Sequence, residues 1–238
     1  VLIAPQDENS IAAVIVEPVA GATGILPPPL GYLERLREIC TKHGILLIFD
    51  EVITGFGRVG ASFAAERFDV IPDIITCAKG LTNGVIPMGA VLIKDEIYDT
   101  FMTGPEQMPE LFHGYTYSGH PVAAAAGIAA LEVYEEEGSF QQARELEEMF
   151  ADEAHQFDDH PRVIDVRNFG LMAAVELEPR DNAPGTRGLE VHKRLFWDEN
   201  LVIRNTMDIL QFCPFLNAKP EDIRSMFGAV KRVLDTLE

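Results

Sequence analysis

An acid pair that closes an apolar run, and a lysine set among small residues, are the side chains of this chain best suited to chemistry. Asp50-Glu51 ends "GILLIFDE" (44–51) and opens onto a loop with Gly55, Gly57 and Gly60. Lys79 follows 29 residues later, inside "TCAKGLTNG" (76–84), and Glu17 ends an earlier apolar run, "IAAVIVEP" (11–18). An acid at the end of a buried strand serves two chemistries. In a nucleotide hydrolase it holds magnesium. Opposite a pyridine nitrogen, its negative charge raises the nitrogen's pKa and keeps the ring protonated. The first chemistry goes with a phosphate loop of the form G-x-x-x-x-G-K-S/T. These residues contain none, since Lys79 precedes its glycines and no Ser or Thr follows it directly. The second needs a lysine amine that forms an imine with an aldehyde, and small neighbours give such a lysine room to swing. On these residues alone both readings stand, with the second better supplied.

The elements that must position these groups read as an α/β arrangement. Residues 11–18 and 45–49 are short apolar runs suited to buried strands. Between them, 30–44 carries Leu33, Leu36, Ile39, Cys40 and His43 at helical spacing, with Gly44 as the stop. Strand, helix and strand within about forty residues make a βαβ unit, which implies a mostly parallel sheet covered by helices on both faces. Residues 72–80 and 88–94 predict two further strands, the first ending at Lys79-Gly80. In open parallel sheets ligands bind beyond the carboxyl ends of the strands, where Asp50, Lys79 and Glu17 all fall. Residues 114–121 read as a polar loop and 122–137 as an Ala-rich helix.

Beyond Gly138 the texture changes to an α+β domain. An amphipathic helix is expected over 139–157, and an antiparallel pair over 163–178 turning around Asn168-Phe169-Gly170. A helix over 188–199, strands at 201–204 and 209–213, and a last helix from Pro220 follow. The expected division is 1–130, part of a large domain, and 131–238, a C-terminal small domain.

Composition narrows the partners. The chain has 238 residues, 38 acidic against 19 basic, for a formal net charge of −19. That field repels phosphate backbones and argues against nucleic acid. No apolar run approaches the length of a membrane span. Three scattered cysteines without a Cys/His cluster suggest no metal site and fit free thiols in a reducing compartment, the cytoplasm. The chain opens on Val1 without a basic leader, which reads as entry part-way into a longer polypeptide.

Together, "LLIFDEVITGFGRVG", "DIITCAKGLTNG" and "GYTYSGHP" closely resemble the signature of class III pyridoxal-phosphate aminotransferases, matching the C-terminal half to two-thirds of such enzymes. The resemblance implies a fold-type I transferase whose N-terminal part lies outside these residues. It implies pyridoxal 5'-phosphate held by Lys79 as an imine, with Lys79 also moving the proton of the reaction. Asp50 would pair with the pyridine nitrogen and Val52 would pack on the ring. Thr116, helped by the Tyr115–Thr116 backbone, would reach the cofactor phosphate of the neighbouring subunit in a homodimer. "VIRNTMDILQFCP" (202–214) resembles the ω-amino-acid–pyruvate subgroup, in which Arg204 would grip the substrate carboxylate. Ile53, where many members carry Gln, fits that subgroup. Gln211 stands where the γ-aminobutyrate type carries an arginine paired with the acid corresponding to Glu17, so Glu17 is a weaker candidate for the substrate side. The implied reaction passes an amino group from an ω-amino acid or amine to a keto acid such as pyruvate. Related class III chemistries, an aminomutase or a decarboxylating transaminase, and an inactive or non-enzymatic relative are the alternatives. Arg58 is expected to anchor its loop or an interface, and His113 and His120 carry no implied role.

Overall fold

Parallel pairing of three short strands sets the frame for the acid and the lysine. The computed structural model describes residues 10–107, 111, 113–114 and 116–237. Strands β1 (Ala13–Val16), β2 (Leu46–Asp50) and β3 (Ile74–Cys77) run parallel, with Val16 opposite Phe49 and Asp50 opposite Thr76. Strand β4 (Ala90–Ile93) closes the sheet antiparallel to β3, giving the order β1-β2-β3-β4. Helix α1 (Tyr32–His43) makes the crossover from β1 to β2 and ends at Gly44, whose φ of 66° lets its amide turn back to Cys40 and Thr41.

Burial follows the two periodicities. Leu33, Leu36 and Cys40 on one stripe of α1 pack with Leu47, Phe49 and Val70. Complete burial of side chains such as Leu33, Leu47 and Phe49 contributes about 2 kcal/mol each. Val14 and Val16 join the same cluster from β1. The expected helical cover on both faces is seen in full on this one. Ile15, pointing to the opposite face, is 60% exposed, and Ile48 beside it is half-buried.

Helices α2 (Ala64–Arg67), α3 (Asp95–Met102) and α4 (Pro121–Glu136) complete the first unit. The third strand is shorter than its apolar run. It stops at Cys77, and Lys79–Thr82 form a 3₁₀ turn, so Lys79 opens a turn rather than ending a strand. The chain divides into two units by its internal contacts. The first comprises residues up to Pro18, Leu30–Phe56 and Ala64–Glu137; the second comprises Val19–Pro29, Gly57–Phe63 and the residues from Gly138 onward. Residues 130 and 131 lie inside α4, which runs unbroken to Glu136.

The second unit is an antiparallel sheet, β5-β6-β8-β7, with three helices. The strands are β5 (Val163–Phe169), β6 (Met172–Leu177), β7 (Arg204–Thr206) and β8 (Ile209–Phe212); the helices are α5 (Ser139–His155), α6 (Thr186–Asp198) and α7 (Pro220–Leu234). Phe227 on α7 is the centre of the core, with its ring 5.1 Å from that of Phe212 and 5.5 Å from that of Phe150. Two sequence expectations shift here. Asn168 and Phe169 pair with Ala173 and Met172, which moves the turn to Gly170-Leu171. Residues 201–203 are not strand. Asn200 sits at φ 53° and the Leu201 amide donates to the Leu195 carbonyl, so these residues are spent on leaving α6. Arg58 anchors its loop as expected, with Nη1 donating to the carbonyls of Leu171 and Pro214.

Candidate active site

Because β2 and β3 are parallel neighbours in register, their carboxyl ends open at the same edge. Asp50 is the last residue of β2, and Lys79 lies three residues beyond Thr76, its partner in β3. Adjacent strands are about 4.8 Å apart, so the pairing brings together an acid and a lysine separated by 29 residues in the chain. Asp50 is half-buried. One carboxylate oxygen accepts the Val52 amide at 3.1 Å, and the other accepts no hydrogen bond among the described residues. Val52 and Ile53 follow, both half-buried.

Lys79 is exposed, and its ammonium has no partner among the described residues. Its backbone adopts φ 45°, a left-handed conformation that costs a side-chain-bearing residue on the order of 1 kcal/mol and so must be imposed by its surroundings. The imposing contacts fall on Gly80. The Tyr134 hydroxyl on α4 donates to the Gly80 carbonyl at 2.8 Å, and the Phe56 ring packs 6.5 Å from that of Tyr134. A Cβ on Gly80 would stand 2.7 Å from Phe56 Cβ, so only glycine fits. The Gly84 amide donates to the Lys79 carbonyl, closing the turn.

Glu51, for which the sequence suggests nothing beyond solvent or a nearby backbone contact, is completely buried. Its carboxylate accepts the Thr54 hydroxyl at 2.8 Å and the amides of Ala64 and Ala65 at 2.6 and 2.8 Å. Burial pushes its pKa up, opposed by the three donors. Alternation along the strand gives the two acids opposite jobs: Glu51 holds the turn and α2 from inside, while Asp50 keeps a free oxygen at the sheet edge. Tyr134 was also invisible to motif reading. Its signal was periodicity, since Gly127 and Tyr134 lie seven residues apart on the face of α4 that meets the 3₁₀ turn.

Of the remaining candidates, Glu17 is half-buried directly after β1, at the third strand end of the same edge. Thr116 is an exposed bend residue, and Tyr115 lies outside the described residues. Arg204 belongs to the second unit, where it opens the edge strand β7 opposite Gln211. It is exposed, and its guanidinium has no partner among the described residues. Gln211 is buried and donates to Thr206 Oγ1 at 2.8 Å and to the Ala22 carbonyl at 3.3 Å.

An imine-forming cofactor with a pyridine nitrogen and an aldehyde suits what the first unit offers: an amine on an imposed turn and a carboxylate oxygen, neither with a partner among the described residues. The architecture is that of a fold-type I pyridoxal-phosphate transferase. The solved structure of a thermostable omega transaminase six-fold mutant from Pseudomonas jessenii superposes with a TM-score of 0.94 at 34% identity, over 100% of this chain and 54% of that one. Residues 2–234 match the family model for aminotransferase class-III. An omega-aminotransferase of Caulobacter vibrioides is 56% identical over 237 residues, and a beta-alanine–pyruvate aminotransferase of Pseudomonas aeruginosa is 50% identical over 236. These alignments cover 100% and 98% of this chain and 54% and 52% of the relatives. The chain belongs to the class III aminotransferases, a pyridoxal-phosphate-dependent family. It spans about half the length of the curated relatives it matches.

Proposed function

We propose that this chain carries the lysine-bearing half of a transaminase that moves an amino group from an ω-amino acid or amine to a keto acid such as pyruvate. The observation that carries the reading is the emergence of Asp50 and Lys79 from neighbouring parallel strands at one edge, each with an unclaimed polar group. When bound, pyridoxal phosphate supplies an aldehyde that condenses with amines and a protonated ring that withdraws electrons from the reacting carbon. Lys79 would hold the cofactor through its amine and, once freed, would take the proton from the amine-bearing carbon of the donor. The free oxygen of Asp50 would hold the ring nitrogen and keep it charged. Val52 would pack against the cofactor.

Thr116, with the Tyr115–Thr116 backbone, would hold the cofactor phosphate of the neighbouring subunit in a homodimer. Arg204 binds the donor carboxylate through a bidentate guanidinium contact, with Glu17 a secondary candidate on the substrate side. Residues 1–130 serve as part of the cofactor-binding large domain and 131–238 as the small domain. Relatives named for ω-amino acids, β-alanine and pyruvate support the substrate class. Three free cysteines support a cytoplasmic location, and no helix among the described residues is long and apolar enough to cross a membrane.

The test is the full-length protein incubated with pyridoxal phosphate, then with β-alanine and pyruvate. A visible absorbance band that Lys79→Ala abolishes, and alanine as product, are expected. A band that survives Lys79→Ala, or no alanine, removes the proposal.

A further inference from the structure

The hairpin that carries Arg204 is held at its turn by a buried acid that takes no part in any ion pair among the described residues. Asp208 lies between β7 and β8 and is 5% exposed. Its Oδ1 accepts the Gly188 amide at 2.8 Å and its Oδ2 accepts the Gly185 amide, both in the opening turn of α6. A carboxylate is well placed there, because the first amides of a helix lack partners inside it and carry its positive dipole end. The approach is close enough that a Cβ on Gly188 would stand 2.2 Å from the Met207 carbonyl oxygen and 2.8 Å from Asp208 Cα. Met207 is held at φ 55°, and the Leu177 amide donates to the Asp208 carbonyl. The turn is thus clamped to both α6 and β6.

Strand β7 is three residues long and lies at the sheet edge, paired only with β8. Its next support, Thr206 Oγ1 donating to the Ala22 carbonyl at 3.1 Å and accepting from Gln211, lies on the same two-residue alternation as Arg204. Arg204 is the last rung, opposite Gln211, with a guanidinium free of any charge partner among the described residues. Its side chain is free to move while its Cα depends on the clamp at the turn.

We propose that Asp208, seated on the Gly185 and Gly188 amides, is a positioning residue that sets Arg204 for donors bearing a carboxylate. The inference rests on the reading of Arg204 as the carboxylate-binding group. The effect is selective, because a donor without a carboxylate makes no use of Arg204.

The test uses the full-length, cofactor-loaded enzyme with β-alanine and with n-propylamine as donors, and propionate binding by calorimetry. Asp208→Asn is expected to raise KM for β-alanine and Kd for propionate about tenfold, the scale of one weakened charge-assisted contact. It is expected to leave kcat for β-alanine and kcat/KM for n-propylamine within about twofold. Gly188→Ala, which pushes the same turn with a methyl group, is expected to repeat the pattern, and either variant suffices if the other does not fold. In an Arg204→Ala background Asp208→Asn should add nothing to the β-alanine KM. A parallel loss with both donors, unchanged propionate binding, or failure of both variants to fold overturns the inference and makes Asp208 a structural cap. An unchanged β-alanine KM in Arg204→Ala alone refutes the Arg204 reading instead.

Discussion

Asp50 and Thr76 stand opposite each other across the parallel β2–β3 pair, and the Thr76 carbonyl accepts the amide of Glu51, the residue after Asp50, at 2.8 Å. That rung ties the acid to the strand that delivers Lys79. It also separates the two acids, with Glu51 turned into the protein and Asp50 left at the edge. The consequences can be measured.

Replacing Asp50 by Asn removes the charge proposed to face the ring nitrogen while keeping its size. Turnover should fall about ten- to hundredfold, the range of one hydrogen bond to a charged group converted to rate. Asp50→Glu should recover part of the loss. Steady-state kinetics of the two variants, with cofactor content measured alongside, check this.

The lysine turn should be sensitive to one methyl group. Gly80→Ala forces Cβ against Phe56 and should cost about 1–3 kcal/mol of stability, the usual range for overpacking. Tyr134→Phe removes only the hydrogen bond to the Gly80 carbonyl and should cost about 1 kcal/mol. Urea unfolding gives both values. If the turn positions Lys79, Gly80→Ala should also lower cofactor affinity more than Tyr134→Phe does.

Glu51→Ala should destabilise by about 3 kcal/mol, because it strands the buried amide of Ala64, the part-buried amide of Ala65 and the Thr54 hydroxyl without an acceptor. Thr54→Val removes one donor and leaves both amides satisfied, so it should cost less. Equal losses in the two unfolding curves would contradict the anchoring role.

Asp73 predicts an acid limit to stability. Burial pushes its carboxyl up, but the Leu47 amide, Lys94 at 2.7 Å and Arg37 at 2.7 Å outweigh that and hold it down to about 2. A carboxyl whose folded pKa lies below its unfolded value stabilises the protein above the unfolded pKa, and the contribution disappears as pH falls through the folded one. Asp73→Asn should therefore lose about 2 kcal/mol at neutral pH, with the gap to the parent protein closing between about pH 5 and pH 2. A gap constant with pH would rule out the charge as its source.

Much of this was readable one residue at a time. Helix α1 was legible because its stripe of Leu33, Leu36 and Cys40 follows the helical period and Gly44 stops it. Strands β1 and β2 were legible as apolar runs, although β3 proved shorter than its run because the turn at Lys79 consumes the end. Residues 201–203 looked like strand because Leu, Val and Ile favour one. Their backbone was claimed by the exit from α6, which no local propensity reports.

Composition, period and motif determined the class of fold, the pairing of an acid with a lysine, and the family, because these depend on residue types and on spacing along the chain. Tertiary structure alone decided that Glu51 is buried and that it holds the turn and α2 from inside. It likewise decided that Tyr134 and Phe56 hold the lysine turn, and that Asp208 fastens the Arg204 hairpin to α6. These depend on contacts between residues far apart in sequence, such as Glu51 with Ala64 or Gly188 with Asp208. They exist only once burial has brought the elements together and left each polar group to find its partner in the fold.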